Sequence, residues 1–414
     1  MTEGHPRSTE DRYGWVIVAA AAVLLGMGTG SLQTISVTLK PIIAEMGWLR
    51  GETAFAFTAG TISTGVFGLL MGYLSDRFSV RPVVLSGAAA LGVSLLLLSR
   101  LNSLWEFYLY FCLMGGLGFG ALFAPLIAHV GRWFDKNAGM ALGITTAGQA
   151  LGYGLWPLLA SFLIASQGWR QMYAILGVVA LVLLVPCALL MRPPPDVSGG
   201  HAPGGAPSGS SDGASSAIAR SVFLPWLGIA VIFCCITMAT PLVHLVAMVT
   251  DRGIGPRTAA SVFTAIMFAG VFGRIFFGKL ADRIGGLRGH LLASVWQTAL
   301  VFWFTQLQSL LGFYTLAIFF GLGFSGVMTC MMICVRDCTP PVSRAVSVAI
   351  ILCFAWIGMG LGGWQGGYFF DLTGDYQLSF ANAVVAGAVN LAILSTLHFY
   401  LGKKGQLAHA PTVA

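Results

Sequence analysis

Gly72-Tyr73-Leu74-Ser75-Asp76-Arg77-Phe78-Ser79-Val80-Arg81-Pro82 returns 206 residues later as Gly278-Lys279-Leu280-Ala281-Asp282-Arg283-Ile284-Gly285-Gly286-Leu287-Arg288. Each copy ends an apolar run with the same Gly-x-Leu-Ser/Ala-Asp-Arg core. A second echo lies at nearly the same spacing: Gly116-Leu117-Gly118-Phe119-Gly120 and Gly321-Leu322-Gly323-Phe324-Ser325 are 205 residues apart. Two independent echoes at half the length of a 414-residue chain mean an internal duplication.

The repeated unit is a membrane unit. The chain is 57% hydrophobic and 9% charged, where a soluble domain carries about 25% charged residues. Apolar runs long enough to cross a bilayer cover about 14–40, 52–75, 82–99, 104–130, 138–165, 170–191, 221–249, 257–281, 288–307, 309–335, 342–370 and 376–401. The expected fold is therefore an all-α membrane protein, with twelve transmembrane helices in two pseudo-symmetric six-helix bundles. The expected parts are an N-terminus over 1–13, bundles over 14–191 and 221–401, a disordered Gly/Ser/Pro/Ala-rich linker over 192–220, and a tail over 402–414. No room remains for a soluble catalytic domain.

The net charge of +7 invites a nucleic-acid reading, but the placement of the cations excludes it. Lys40, Arg50, Arg100, Arg170, Arg252 and Arg257 fall on one side of the expected helices, and Arg274 lies within one. The remaining 15 of the 22 Lys and Arg residues share the side of the N-terminus. This bias places both termini in the cytoplasm. The polar N-terminal dozen residues lack a signal-peptide pattern, so the first run is expected to direct insertion. Short loops and no targeting signal point to the inner (plasma) membrane. The eight cysteines lie in or at the ends of apolar runs, which argues against a disulfide framework. Cys330, Cys334 and Cys338 share one helical face, but no histidine or carboxylate completes a metal site there. No metal and no cofactor is expected.

Arg274 is the residue that points to chemistry. It lies in Phe263-Thr264-Ala265-Ile266-Met267-Phe268-Ala269-Gly270-Val271-Phe272-Gly273-Arg274-Ile275-Phe276-Phe277-Gly278, with no acidic residue within a helical turn. It is roughly 12 Å from Asp282, where the run ends, inside a hydrocarbon layer about 30 Å thick. A cation there costs between about 2.5 and 17 kcal/mol, so it should face protein or a watery cavity. The missing partner is an anion, and the expected anion is the substrate. One cation matches a monoanion most simply. Gln33, Phe119, Phe123, Gln149, Tyr153, Ser325, Trp356 and Trp364 are the other candidates to line the cavity. No acid sits near mid-membrane, so His244, with His129 second, is the candidate for coupling to H+.

The paired Gly-x-Leu-Ser/Ala-Asp-Arg loops resemble the signature of the major facilitator superfamily, and the two halves cover the whole chain. The resemblance implies alternating access about a central site. It makes Gly72, Asp76, Arg77, Arg81, Gly278, Asp282 and Arg283 gating and structural residues, with the glycines allowing close helix packing. Ser79 stands where that family usually has glycine.

A narrower resemblance lies in Trp133-Phe134-Asp135-Lys136-Asn137-Ala138-Gly139-Met140-Ala141-Leu142-Gly143-Ile144-Thr145-Thr146-Ala147-Gly148-Gln149-Ala150-Leu151-Gly152. It is similar to the fifth-span signature of the monocarboxylate porter family, with Asn137 and Ala138 in place of a basic pair. Glu10, Tyr13, Gly14 and Trp15 match part of the first-span motif, and Gly367-x-x-x-Asp371-x-x-Gly374-Asp375-Tyr376 is also similar to the family. The resemblance makes Arg274 the carboxylate-binding arginine of the eighth span. Mammalian members have an aspartate where this chain has Gly270, and a first-span lysine where it has Gln33. The function implied is proton-coupled transport of small lactate- or pyruvate-like monocarboxylates by a monomer in the lipid bilayer. The alternatives are an organic-anion exchanger, dicarboxylates included, and a non-transporting anion-binding membrane sensor. No enzyme motif appears.

Overall fold

The structure, a computed structural model, describes residues 12–134, 137–193, 213–339 and 344–403. Among them there is no strand. The helices are α1 (Arg12–Gln33), α2 (Ile35–Met46), α3 (Arg50–Phe78), α4 (Val80–Leu98) and α5 (Leu104–Cys112), which passes through a π-helical segment (Leu113–Phe119) into α6 (Gly120–Trp133). They continue with α7 (Ala138–Leu189), α8 (Gly213–Asp251), α9 (Pro256–Ile284) and α10 (Gly286–Val301), the last followed by a 3-10 turn (Phe302–Gln306). The chain closes with α11 (Leu310–Cys338), α12 (Arg344–Thr373) and α13 (Gln377–Lys403).

Ten helices among the described residues are long and apolar enough to cross a membrane. The longest breaks at Gly168, whose φ of 82° turns the chain in one residue, and α10 is shorter, at 16 residues. Each of the twelve expected apolar runs overlaps a helix among the described residues, with 342 and 343 of the run over 342–370 lying outside them. Most of the two terminal segments, and residues 194–212 of the expected linker, lie outside the described residues; α8 already begins at Gly213, inside that linker.

In lipid, close packing has to come from small residues, because apolar side chains gain little by leaving a solvent as apolar as themselves. A Cβ on Gly152 of α7 would fall on the backbone of Gly26 in α1, and one on Gly26 would lie 2.7 Å from the Gly148 carbonyl. A Cβ on Gly115 would strike Gly60 of α3. In the second half, Gly273 of α9 meets Leu322 of α11 in the same way, and Gly321 meets Ile266. Gly115 and Gly321 are 206 residues apart, so the duplication reappears as a repeated backbone-on-backbone seam. The loop echo is kept too: Ser79 has φ 126° and Gly285 has φ 90° at matching positions.

Helices α1–α7 pack mainly with one another, as do α8–α13, and the halves meet chiefly through α3 with α12, α7 with α9, and α2 with α8. One structural expectation is corrected. A Cβ on Gly72 would meet nothing within 4 Å, and one on Gly278 only the Thr329 methyl at 3.6 Å. These glycines therefore hold no tight contact in this conformation, in which Gly72 instead lines an open groove.

Candidate functional site

Helix α9 places Arg274 beside its seam with α11. Gly270 and Gly273, on the turn before it, bring α11 so near that a Cβ on Gly270 would run into the Ser325 side chain. Ser325 is thereby held near the arginine, and no acidic side chain fits at 270 without parting the helices. Arg274 is half-buried. It makes no hydrogen bond or ion pair among the described residues, while the Tyr153 hydroxyl on α7 lies within its field.

The guanidinium lines a cavity of about 300 Å³ between the halves. Of the residues expected at the site, Arg274, Phe123, Gln149, Tyr153, Ser325 and Trp356 come together there. The cavity has two unlike walls. Thr146, Gln149 and Tyr153 of α7, Arg274 of α9, and Ser325 and Thr329 of α11 supply its polar atoms. Phe123 of α6, Met238 and Leu242 of α8, and Leu352, Ala355, Trp356 and Met359 of α12 are apolar, joined by Met267, Phe324, Met328 and Met332. Among these lining residues there is no carboxylate and no histidine. A further groove of about 530 Å³ shares Phe123, Leu352 and Trp356 with the cavity and continues past Gly68, Gly72 and Ser75, so the site opens toward the α3–α4 loop.

The remaining expected residues lie elsewhere. Gln33 is buried, and its Nε2 donates to the Leu242 carbonyl at 2.6 Å, tying α1 to α8 behind the cavity wall. Phe119 is buried one layer back, where its ring meets Phe123 at 5.6 Å and Trp356 at 5.8 Å and so fixes both. Trp364 stacks on Tyr368, away from the cavity. His129 accepts from the Trp133 indole at 3.2 Å. Asp282 lies 3.9 Å from Arg336, Arg77 lies over the Phe78 ring, and Arg81 and Arg283 are exposed. The side chain of Asp76, like Asp135 and Lys136 of the fifth-span motif, lies outside the described residues.

Sequence reasoning missed a latch that joins the halves at the end away from the groove. Arg50 of α3 grips Asp251 of α8 with two bonds, Nη1–Oδ2 at 2.6 Å and Nη2–Oδ1 at 3.2 Å. Lys40 reaches the same carboxylate at 2.6 Å. The Asp371 carboxylate of α12 accepts from the backbone amides of Arg50 and Gly51 at 3.0 and 2.6 Å, where the first turn of α3 leaves donors free. Arg50 also donates to the Tyr376 hydroxyl at 2.9 Å and lies 3.6 Å over the Phe370 ring. His244 joins from inside. Its Nε2 faces the Gly363 carbonyl at 2.7 Å and must carry the proton, so Nδ1 accepts from Tyr376 at 3.3 Å. The one sequence signal was the Gly367–Tyr376 motif, which supplies Asp371 and Tyr376.

The family profile of the Major Facilitator Superfamily matches residues 16–288 and 225–412. Monocarboxylate transporter 13 of Rattus norvegicus is 29% identical over 398 residues, covering 94% of this chain and 90% of that one. Monocarboxylate transporter 4 of the same species is 25% identical over 412 residues, covering 96% and 86%. A solved bacterial homolog of the human lysosomal transporter Spinster, in an inward-facing, occupied conformation, is similar with a TM-score of 0.74 at 14% identity, covering 95% of this chain and 98% of that one. Joined to the duplicated halves and the cavity between them, these matches make the chain a member of the major facilitator superfamily, a multi-pass membrane transporter related to the monocarboxylate transporters and not an enzyme.

Proposed function

We propose that this protein is a secondary active transporter of organic monocarboxylates, in which Arg274 anchors the carboxylate and the two halves rock to expose the cavity to one side at a time. The observation that carries this reading is a single guanidinium in the cavity with no acidic partner among the described residues. Its planar fork can make two parallel charge-assisted bonds to a carboxylate. A dicarboxylate would leave its second charge against an apolar wall. In this reading the cation bias supports both termini on the cytoplasmic side of the plasma membrane, and a single chain carries the transport.

The test is uptake of labelled short-chain acids into proteoliposomes. Arg274→Ala abolishes uptake while the protein stays folded in the membrane, and Arg274→Lys restores little, because an ammonium lacks the fork. Normal uptake by Arg274→Ala would sink the assignment.

Proton coupling, in this reading, acts through the latch. A proton added at Nδ1 of His244 removes the acceptor used by Tyr376 and adds a further positive charge beside Arg50 and Lys40, so acid on that side favours opening there. His244→Gln is expected to leave uptake indifferent to an imposed pH gradient. A second reading, anion exchange without a proton, is favoured by the lack of any carboxylate or histidine among the residues lining the cavity. Full counterflow with no pH effect in the wild type would select it.

A further inference from the structure

We infer that the acid taken by this site has a bulky, apolar body, aromatic or branched, attached to its one carboxylate, and is not a two- or three-carbon acid. This rests on the proposed role of Arg274 and adds what the rest of the cavity requires.

Volume is the first observation. An apolar cavity of about 150 Å³ holds a benzene, and this one has about 300 Å³. A lactate-sized anion at Arg274 would leave most of that space to water lying against thioethers and an indole, which offer it few hydrogen bonds.

The distribution of chemistry is the second. The polar atoms belong to α7, α9 and α11, while α6, α8 and α12 present only apolar side chains. An acid whose carboxylate lies at Arg274 therefore has its other end against Phe123, Met238, Leu352, Trp356 and Met359. Those residues differ in stiffness. Phe119 holds the rings of Phe123 and Trp356 at 5.6 and 5.8 Å and is itself wedged so close to Gly28 that a Cβ there would lie 2.8 Å from it. The methionines are unbranched and polarizable, and they adapt to different outlines. A fixed aromatic edge facing adaptable thioethers suits a flat ring or a branched chain, with tolerance of its exact shape. Each methylene buried there raises affinity about fourfold.

Lactate and 3-phenyllactate test this directly, because they share the 2-hydroxycarboxylate head and differ by one phenyl ring. Binding of each to the full-length protein in nanodiscs is measured by calorimetry, and each is tested as an inhibitor of labelled-acid uptake. 3-Phenyllactate is expected to bind at least tenfold more tightly than lactate, Arg274→Ala to lose both acids, and Ala355→Phe to shrink the preference below threefold. Equal or tighter binding of lactate, with both acids lost in Arg274→Ala, would overturn the bulky-body inference and leave the anion site standing. Phenyllactate binding that survives Arg274→Ala would mean partition into the bilayer, and an undiminished preference in Ala355→Phe would put the ring against another wall; either overturns the inference. No binding of either acid to the wild type would remove the carboxylate reading itself.

Discussion

A side chain at position 270 would have to occupy the space of the Ser325 hydroxyl, with the Gly321 carbonyl just beyond. The aspartate that the monocarboxylate-porter resemblance would put there has no room, because the α9–α11 seam excludes it. Gly270→Asp is expected to destabilise the fold by about 1–3 kcal/mol through overpacking, read as a fall in the thermal midpoint, and to supply no proton site. Ser79 is a second such point. At φ 126° and ψ 161° it holds a backbone region reserved in practice for glycine, at a cost of about 1–3 kcal/mol. Ser79→Gly should raise the thermal midpoint, and Gly285→Ala in the matching loop should lower it. Arg274 was legible because an unpaired cation in an apolar helix needs no neighbours to be noticed. Gln33 was not, since its amide is taken by a carbonyl 209 positions away, and the methionines of the cavity read in sequence like any other apolar residue.

The helices owe their existence to length and apolarity, which the sequence carries openly, and their contacts to glycines, which it carries only in part. The echo at Gly116 and Gly321 announced a duplication; that Gly115 and Gly321 bring backbones together emerged from the packing. Gly152→Val is expected to part α1 from α7, lowering the yield of monodisperse protein on size exclusion far more than Gly72→Ala, since a Cβ at Gly72 meets only open space. Helix ends were the least legible features. One residue, Gly168, does the work of a loop. The π-helical stretch over Leu113–Phe119 gives no periodic signal, because an i→i+5 turn shifts the apolar face within a run that is apolar all round.

At the scale of the molecule, the two halves are closed at one end and parted at the other. The cation count assigned Lys40 and Arg50 to a side and nothing more; pairing with Asp251, Asp371 and Tyr376 spans between 201 and 326 residues, far beyond any local pattern. Combining Asp251→Asn with Asp371→Asn is expected to loosen the closed end. A single cysteine at Ala355, in a cysteine-free background, should then react several-fold faster with a membrane-impermeant thiol reagent added from the latch side. Unchanged labelling would assign the closure to other contacts. The latch also bears on tempo. On the proposed function, an acid bound at Arg274 would touch α7 of one half and α9 of the other and so offset part of what is lost when Arg50 leaves Asp251. An empty carrier would have no such compensation, and on the same reading its reorientation would be the slow leg of the cycle. Labelled acid should then enter several-fold faster into vesicles preloaded with unlabelled acid than into empty ones.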